Sequence, residues 1–300
     1  MPASLRVGMK VIVGVDLQHA YVPALHLLGK LQLTDPELLL VQASPTVESM
    51  LPPFPMDGAT VDFMYKTFKE AGEAALLDAE AEARKLGLHT LPLLCIGPSA
   101  ELINECVERE GAELVVVRTT HRGTWQSEFL GSVSRAVMLC GHVSVLAAKQ
   151  EPIEKQRLDV VFATDGSEFN ERCLDRLLAM RPSGIETVHV VCAWGISSHL
   201  EHLLRHALPH SADLNAELEA AAKAAAERAA SRLSKAGYKT TARATQGPPD
   251  RVLHEVMAET GSDLLVVGAH GKGWVERLLI GSTSLHELVD ETYNVLILRP

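Results

Sequence analysis

GPSAELINECVEREGAELVVV at residues 97–117 lies over GPPDRVLHEVMAETGSDLLVV at residues 247–267 without a gap. Each copy opens on Gly-Pro, continues with helical spacing of apolar residues, and ends in a β-branched run. Outward from this pair the match continues. MKVIVGVD, ending at Asp16, corresponds to LDVVFATD, ending at Asp165, and FLGSVSRAVMLCGHVSVLAAK (129–149) corresponds to LIGSTSLHELVDETYNVLILR (279–299). Order and spacing persist at an offset near 150, the signature of a duplicated domain. QEPIEKQR (150–157) is charged, contains Pro152 and lacks apolar periodicity, so it reads as a linker between domains 1–149 and 158–300.

Three hundred residues suit two domains, each large enough to bury a core of its own. Composition is that of a globular protein, 47% hydrophobic and 22% charged, which excludes wholesale disorder. Aromatics supply only 4%, so the cores must be aliphatic, as in parallel-sheet α/β proteins. The net charge of −10 disfavours nucleic acid or an anionic membrane as the main partner. A small phosphate site built from backbone amides remains compatible with that charge. The five cysteines, Cys95, Cys106, Cys140, Cys173 and Cys192, form no Cys-x-x-Cys pair. They read as small buried hydrophobes in a reducing compartment. The N-terminal apolar run is short, β-branched and closed by Asp16, unlike a signal peptide, and no run reaches the length of a membrane span. A cytoplasmic protein is expected.

Within each half, strand and helix alternate. In the second half, strands are expected at 158–164, 186–194, 238–245, 263–268 and 294–299. Helices fall at 167–180, 212–235, 250–259 and from Ser282, with Gly237 placed to cap the second of them. This alternation means β-α-β units and a parallel sheet, hence two α/β/α sandwiches of five strands each. Ligands of such open sheets bind beyond the C-terminal strand ends, where the strand order reverses.

The fourth strand of the second half runs into Gly268-Ala-His-Gly271-Lys272-Gly273, and Gly281-Ser282-Thr283-Ser284 follows ten residues after Gly271. Glycines after a strand let backbone approach a ligand closely, and Gly281-Ser282 opens a helix whose free amides suit phosphate. The chain thereby resembles the universal stress protein family, twice over nearly its whole length. Gly268, Gly271, Gly281 and Ser282 match the family's Gly-x2-Gly-x9-Gly-Ser/Thr, and Asp165-Gly-Ser167-Glu168 matches the family's acidic turn after the first strand. The resemblance implies Rossmann-like domains of strand order 3-2-1-4-5 related to adenine nucleotide hydrolases. It implies ATP, AMP or another adenine nucleotide as ligand, with or without Mg²⁺, as in some members. Asp165 would then meet the nucleoside and Val190 the adenine, through its backbone. Gly268 and Gly271 would clear space along ribose and phosphates. Gly281, Ser282, Thr283 and Ser284 would hold phosphate, and Lys272 would either neutralise a distal phosphate or stand in solvent.

The first half departs from this pattern. Leu17-Gln18 follows Asp16, and Arg118 and His121 stand where Gly268 and Gly271 would, although Gly131-Ser132-Val133-Ser134 survives. Side chains there would close the first site, with Arg118 facing either the phosphate loop or a bound anion. His199, His202 and His206 form a helical stripe that suits a solvated or partner-facing helix better than a metal site, and Trp125 and Trp274 read as hydrophobic anchors. No Ser/His/Asp order, metalloprotease helix or P-loop is present, so a dedicated enzyme finds no support. Weak ATP hydrolysis or self-phosphorylation on Ser282 or Ser284 is the enzymatic alternative, and a nucleotide-free partner-binding protein is the other. The preferred reading is a stress-response sensor that binds one adenine nucleotide in the second domain and an unidentified protein partner. Both halves end on apolar strands, 142–148 and 294–299, which would be aggregation-prone if open. Their pairing in an intramolecular pseudo-dimer is therefore expected, and assembly of such chains into a homodimer is left open.

Overall fold

The computed structural model describes residues 8–44, 46, 57–97, 99–119, 143–195, 211–269 and 291–300. The chain divides into two compact units, Met1–Glu154 and Lys155–Pro300. The first unit contains β1 (Lys10–Val15), α1 (Val22–Leu31), β2 (Glu37–Ser44), α2 (Gly58–Lys85), β3 (Thr90–Ile96), α3 (Ser99–Glu110), β4 (Leu114–Arg118) and β5 (Ser144–Ala148). The second contains β6 (Leu158–Ala163), α4 (Glu168–Met180), β7 (Ile185–Trp194), α5 (Ser211–Lys235), β8 (Lys239–Gln246), α6 (Pro249–Thr260), β9 (Leu264–Gly268) and β10 (Asn294–Leu298).

The strands of the second unit stand in the order β8-β7-β6-β9-β10, and those of the first in the order β3-β2-β1-β4-β5. In each unit this is the expected 3-2-1-4-5. The pairings are parallel, with Val160 level with Leu264 and Val188, and Leu264 level with Asn294. Central strands carry unbroken apolar runs because helices cover both of their faces. Val160, Val161, Phe162, Leu264, Leu265 and Val266 have no exposed surface. Each such burial contributes about 1.5–3 kcal/mol. The outer strands β3 and β8 are largely exposed, and β8 accordingly carries the polar sequence KTTARATQ.

Helix boundaries follow local chemistry. Ser167 caps α4 by accepting from the Asn170 amide (3.2 Å), and Asp57 caps α2 by accepting from the Thr60 amide (2.9 Å). Gly261 ends α6 in the left-handed conformation at φ +60°. In the second unit α4 packs on β9 and β10, α5 on β7 and β8, and α6 on β6 and β7. An ion pair from Arg232 to Glu171 (2.6 Å), extended to Asp175, ties α5 to α4.

The segment read as a linker is anchored at both ends, each end to its own unit. Gln150 and Glu151 are held by Arg118 of the first unit. Lys155 reaches Asp263 (3.2 Å), and Arg157 donates to the carbonyls of Ser183 (2.9 Å) and Ile185 (3.0 Å) in the second. No helix among the described residues is long and apolar enough to cross a membrane.

Candidate functional site

The strand order reverses beside β6, which stands between β7 and β9, so the crevice of the second unit opens at the C-terminal ends of β6 and β9. Ala163-Thr164-Asp165-Gly166-Ser167 leaves β6 there. The turn is built from its own polar side chains. Asp165 Oδ1 accepts from the Ser167 amide (2.9 Å), and Thr164 Oγ1 accepts from the Gly166 amide (3.2 Å). The Thr164 amide donates to the Val191 carbonyl (2.8 Å), which continues the sheet by one residue. Asn170, buried in the first turn of α4, donates through Nδ2 to the Ala163 carbonyl (3.1 Å) and locks the helix onto the strand end.

Gly166 is a required glycine. Its φ is +67°, and a Cβ there would stand 2.8 Å from Ala225 Cβ of α5. The same virtual atom lies 3.7 Å from Arg228 Nη2, so α5 brings a guanidinium to the turn. Across the crevice, Gly268 is the last residue of β9, level with Leu298 of β10, and the following Ala269 amide donates to the Leu298 carbonyl (2.9 Å).

The structure thus brings Asp165 and Gly268 to the ends of neighbouring strands. Val190 sits deeper. It is fully buried, between Phe162 and Ala242 in the register of three strands, and β7 runs four residues beyond it. Gly271, Lys272, Gly281, Ser282, Thr283 and Ser284 lie outside the described residues, as do His199, His202 and His206. No group of three or more His, Cys, Asp or Glu capable of holding a metal occurs among the described residues. Sequence reading missed Asn170 and Arg228 at this turn. Asn170 alone left a signal, a polar residue on the otherwise apolar face of α4.

The first unit has the same strand ends with different chemistry. Asp16 Oδ1 accepts from the amides of Gln18 (2.7 Å) and Ala20 (3.2 Å), a wider turn, and the left-handed residue is His19 at φ +58°. Arg118 occupies the position of Gly268: it is level with Ala148, and the next amide, Thr119, donates to the Ala148 carbonyl (3.0 Å). Its guanidinium donates to the Gln150 carbonyl (2.7 Å) and meets the Glu151 carboxylate (3.4 Å), with the side chain only 14% exposed. Neither expected partner, phosphate loop nor bound anion, is needed to account for that charge.

An open groove of about 820 Å³ runs along α4 and α5, lined by Glu171, Glu227, Arg228, Arg232 and Lys235 among others. Arg232 there is already engaged by Glu171 and Asp175.

Comparison with known proteins agrees with this architecture. The family model described as the universal stress protein family matches residues 9–149 and again 158–289. A universal stress protein of Archaeoglobus fulgidus is similar in fold at 16% identity and a TM-score of 0.66, over 97% of this chain and 98% of that one. A protein of unknown function from Pseudomonas aeruginosa is similar at 15% identity and a TM-score of 0.62, over 98% and 93% of the two chains. No curated protein matches the chain significantly.

Proposed function

The chain belongs to the universal stress protein family, and from that membership we propose that its second unit binds one adenine nucleotide, ATP or AMP, while its first unit binds none. The observation that carries the proposal is the contrast at one position on two like strand ends. Gly268 ends β9 without a side chain, next to the strand that leads into Asp165, whereas Arg118 stands at the corresponding end of β4. A crevice at the strand-order reversal is where open α/β sheets take nucleotides.

In this reading the Asp165 carboxylate accepts hydrogen bonds from the ribose hydroxyls. The Val190 backbone on β7 meets adenine, as the family resemblance implies. Gly268 lets the ribose approach β9, and Gly271, Gly281, Ser282, Thr283 and Ser284 receive phosphate as the family motif implies. Arg228 is a second cation for phosphate beside Lys272, since α5 carries it to the Gly166 turn. The role that follows is that of a nucleotide-responsive stress protein acting through a protein partner.

The test is direct. Nucleotide extracted from the purified chain is identified by mass spectrometry, and the stripped chain is titrated calorimetrically with ATP and AMP. One nucleotide per chain is expected. Two equivalent sites, or no heat with either nucleotide, would overturn the reading.

A further inference from the structure

Two thiols that the sequence scatters are neighbours in the first unit. Cys95, next to last in β3, and Cys106, in α3, bring their sulfurs to 3.9 Å. The alternation of the strand explains the meeting. Leu94 points toward α2, where its Cδ1 lies 2.7 Å from the virtual Cβ of Gly72, so Cys95 points to the opposite face, where α3 packs on β3. Cys95 is half-buried on an outer strand, whereas Cys106 is 1% exposed.

We propose that Cys95 and Cys106 are a redox-active dithiol that reacts with a low-molecular-weight disulfide and closes to a disulfide bond joining β3 to α3. Cys95, reachable from solvent, is the attacking group. Its thiolate, having lost a proton to solvent, attacks one sulfur of the small disulfide. A mixed disulfide forms on Cys95, the old S–S bond breaks, and the departing thiolate takes up a proton. Cys106 then gives its proton to solvent and attacks the Cys95 sulfur, expelling the second small thiolate, which is protonated in turn. Two protein thiols are oxidised by two electrons, and one small disulfide is reduced to two thiols.

The surroundings divide the two roles. Burial, then the neighbouring Cys95, pushes the Cys106 thiol up to about 11, so it stays protonated until the mixed disulfide presents itself. Arg109 Nη2, 3.8 Å from Cys106 Sγ, supplies a positive charge for the thiolate that forms at that moment. Closing the bond takes the sulfurs from 3.9 Å to the ~2.05 Å of a disulfide. The second unit has no counterpart: Thr245 and Val256 stand at the matching positions. Its Cys173 is an inert comparator, buried, pushed up to about 12 by that burial, and bonded to the Leu298 carbonyl (3.5 Å).

The experiment uses the full-length chain, equilibrated with oxidised glutathione, alkylated and mapped by peptide mass spectrometry without reductant. The expected result is joint loss of the Cys95 and Cys106 thiols and a single Cys95–Cys106 linked peptide, reversed by dithiothreitol, with Cys173 still alkylated. In Cys106→Ala, glutathione should remain attached to Cys95. In Cys95→Ala, the Cys106 thiol should stay unmodified. Glutathione retained on Cys95 of the unaltered chain, or full alkylation of both thiols at excess oxidant, would overturn the proposal, and neither readout depends on how well the variants fold.

Discussion

The turns that leave β1 and β6 begin alike, with an Asp after an apolar strand, and then diverge. After Asp165 the chain reverses within three residues, using Gly166 at φ +67° and the Ser167 cap, and α4 starts at Glu168. After Asp16 the reversal takes six residues, the left-handed position moves to His19, and α1 starts at Val22 with no side-chain cap. The short turn ties the carboxylate to the Ser167 amide just past the end of β6. The longer turn carries Tyr21 into the core at the position of Asn170, both counting five residues from the Asp. The same fold thus holds two strand ends of unlike chemistry, and the difference resides in a few side chains at the mouth rather than in the sheet.

The largest expected effect comes from moving one residue across the comparison. Gly268→Arg gives the second unit the side chain of the first. It should weaken adenine-nucleotide binding by roughly a thousandfold, ~4 kcal/mol, in calorimetric titration. Arg118→Gly should leave the stoichiometry at one, because the rest of the first mouth is unchanged. A second site appearing in Arg118→Gly would show that a single side chain separates the units.

Next is the turn itself. Gly166→Ala requires a non-glycine residue at φ +67° with its Cβ against Ala225. It should cost the second unit about 2–4 kcal/mol, read by faster hydrogen exchange in α4 peptides. Leu17, the matching residue, is 43% exposed and not left-handed. Leu17→Gly should therefore change exchange in α1 by less than about 0.5 kcal/mol.

One alkaline titration in the first unit bears on the position that Tyr21 shares with Asn170. Burial, reinforced by Asp78, Asp16 and Glu82, pushes the Tyr21 phenol up to about 12 from 10.0. Above pH 10 the unfolded chain begins to lose this proton while the native unit keeps it. Unfolding is then favoured progressively until pH 12, by up to about 3 kcal/mol. Tyr21→Phe should reduce the fall in stability of the first unit across that window. A profile unchanged by the substitution would mean that other groups govern it.

The smallest effect is the cap. Ser167→Ala removes the acceptor for the Asn170 amide and should lower the stability of the second unit by about 1 kcal/mol in denaturant titration. Loss of several kcal/mol would assign Ser167 a wider role in holding the Asp165 turn.

Much of this was legible beforehand, for identifiable reasons. Apolar runs such as LDVVFA and LLVVG announce strands covered on both faces, and the structure ends them within a residue of the expected bounds. The Ala-rich helix expected from residue 212 to Lys235 runs from Ser211 to Lys235. The strand order 3-2-1-4-5 followed from family resemblance and recurs in each unit. Other features had no local signal. Val190 was carried over by motif, whereas its full burial between Phe162 and Ala242 depends on how three strands slide into register. Arg118 marked a departure from the glycine pattern, but its partners stand 32 and 33 residues away. Cys95 and Cys106, eleven residues apart, looked like isolated buried hydrophobes.

By itself, then, the sequence determined the duplication, the alternation of strand and helix, the location of the two crevice-facing strand ends, and the glycine-for-arginine difference between them. Each is written in neighbouring residues, because side-chain periodicity, β-branching and glycine's backbone freedom act within a few positions of the chain. Tertiary structure alone decided that Arg118 turns to Gln150 and Glu151, that Val190 lies buried between Phe162 and Ala242, that Arg228 reaches the Gly166 turn, and that two thiols meet across β3 and α3. Those outcomes depend on the register of strands and the rotation of helices about their axes, which close packing of the whole unit settles and no short window of residues encodes.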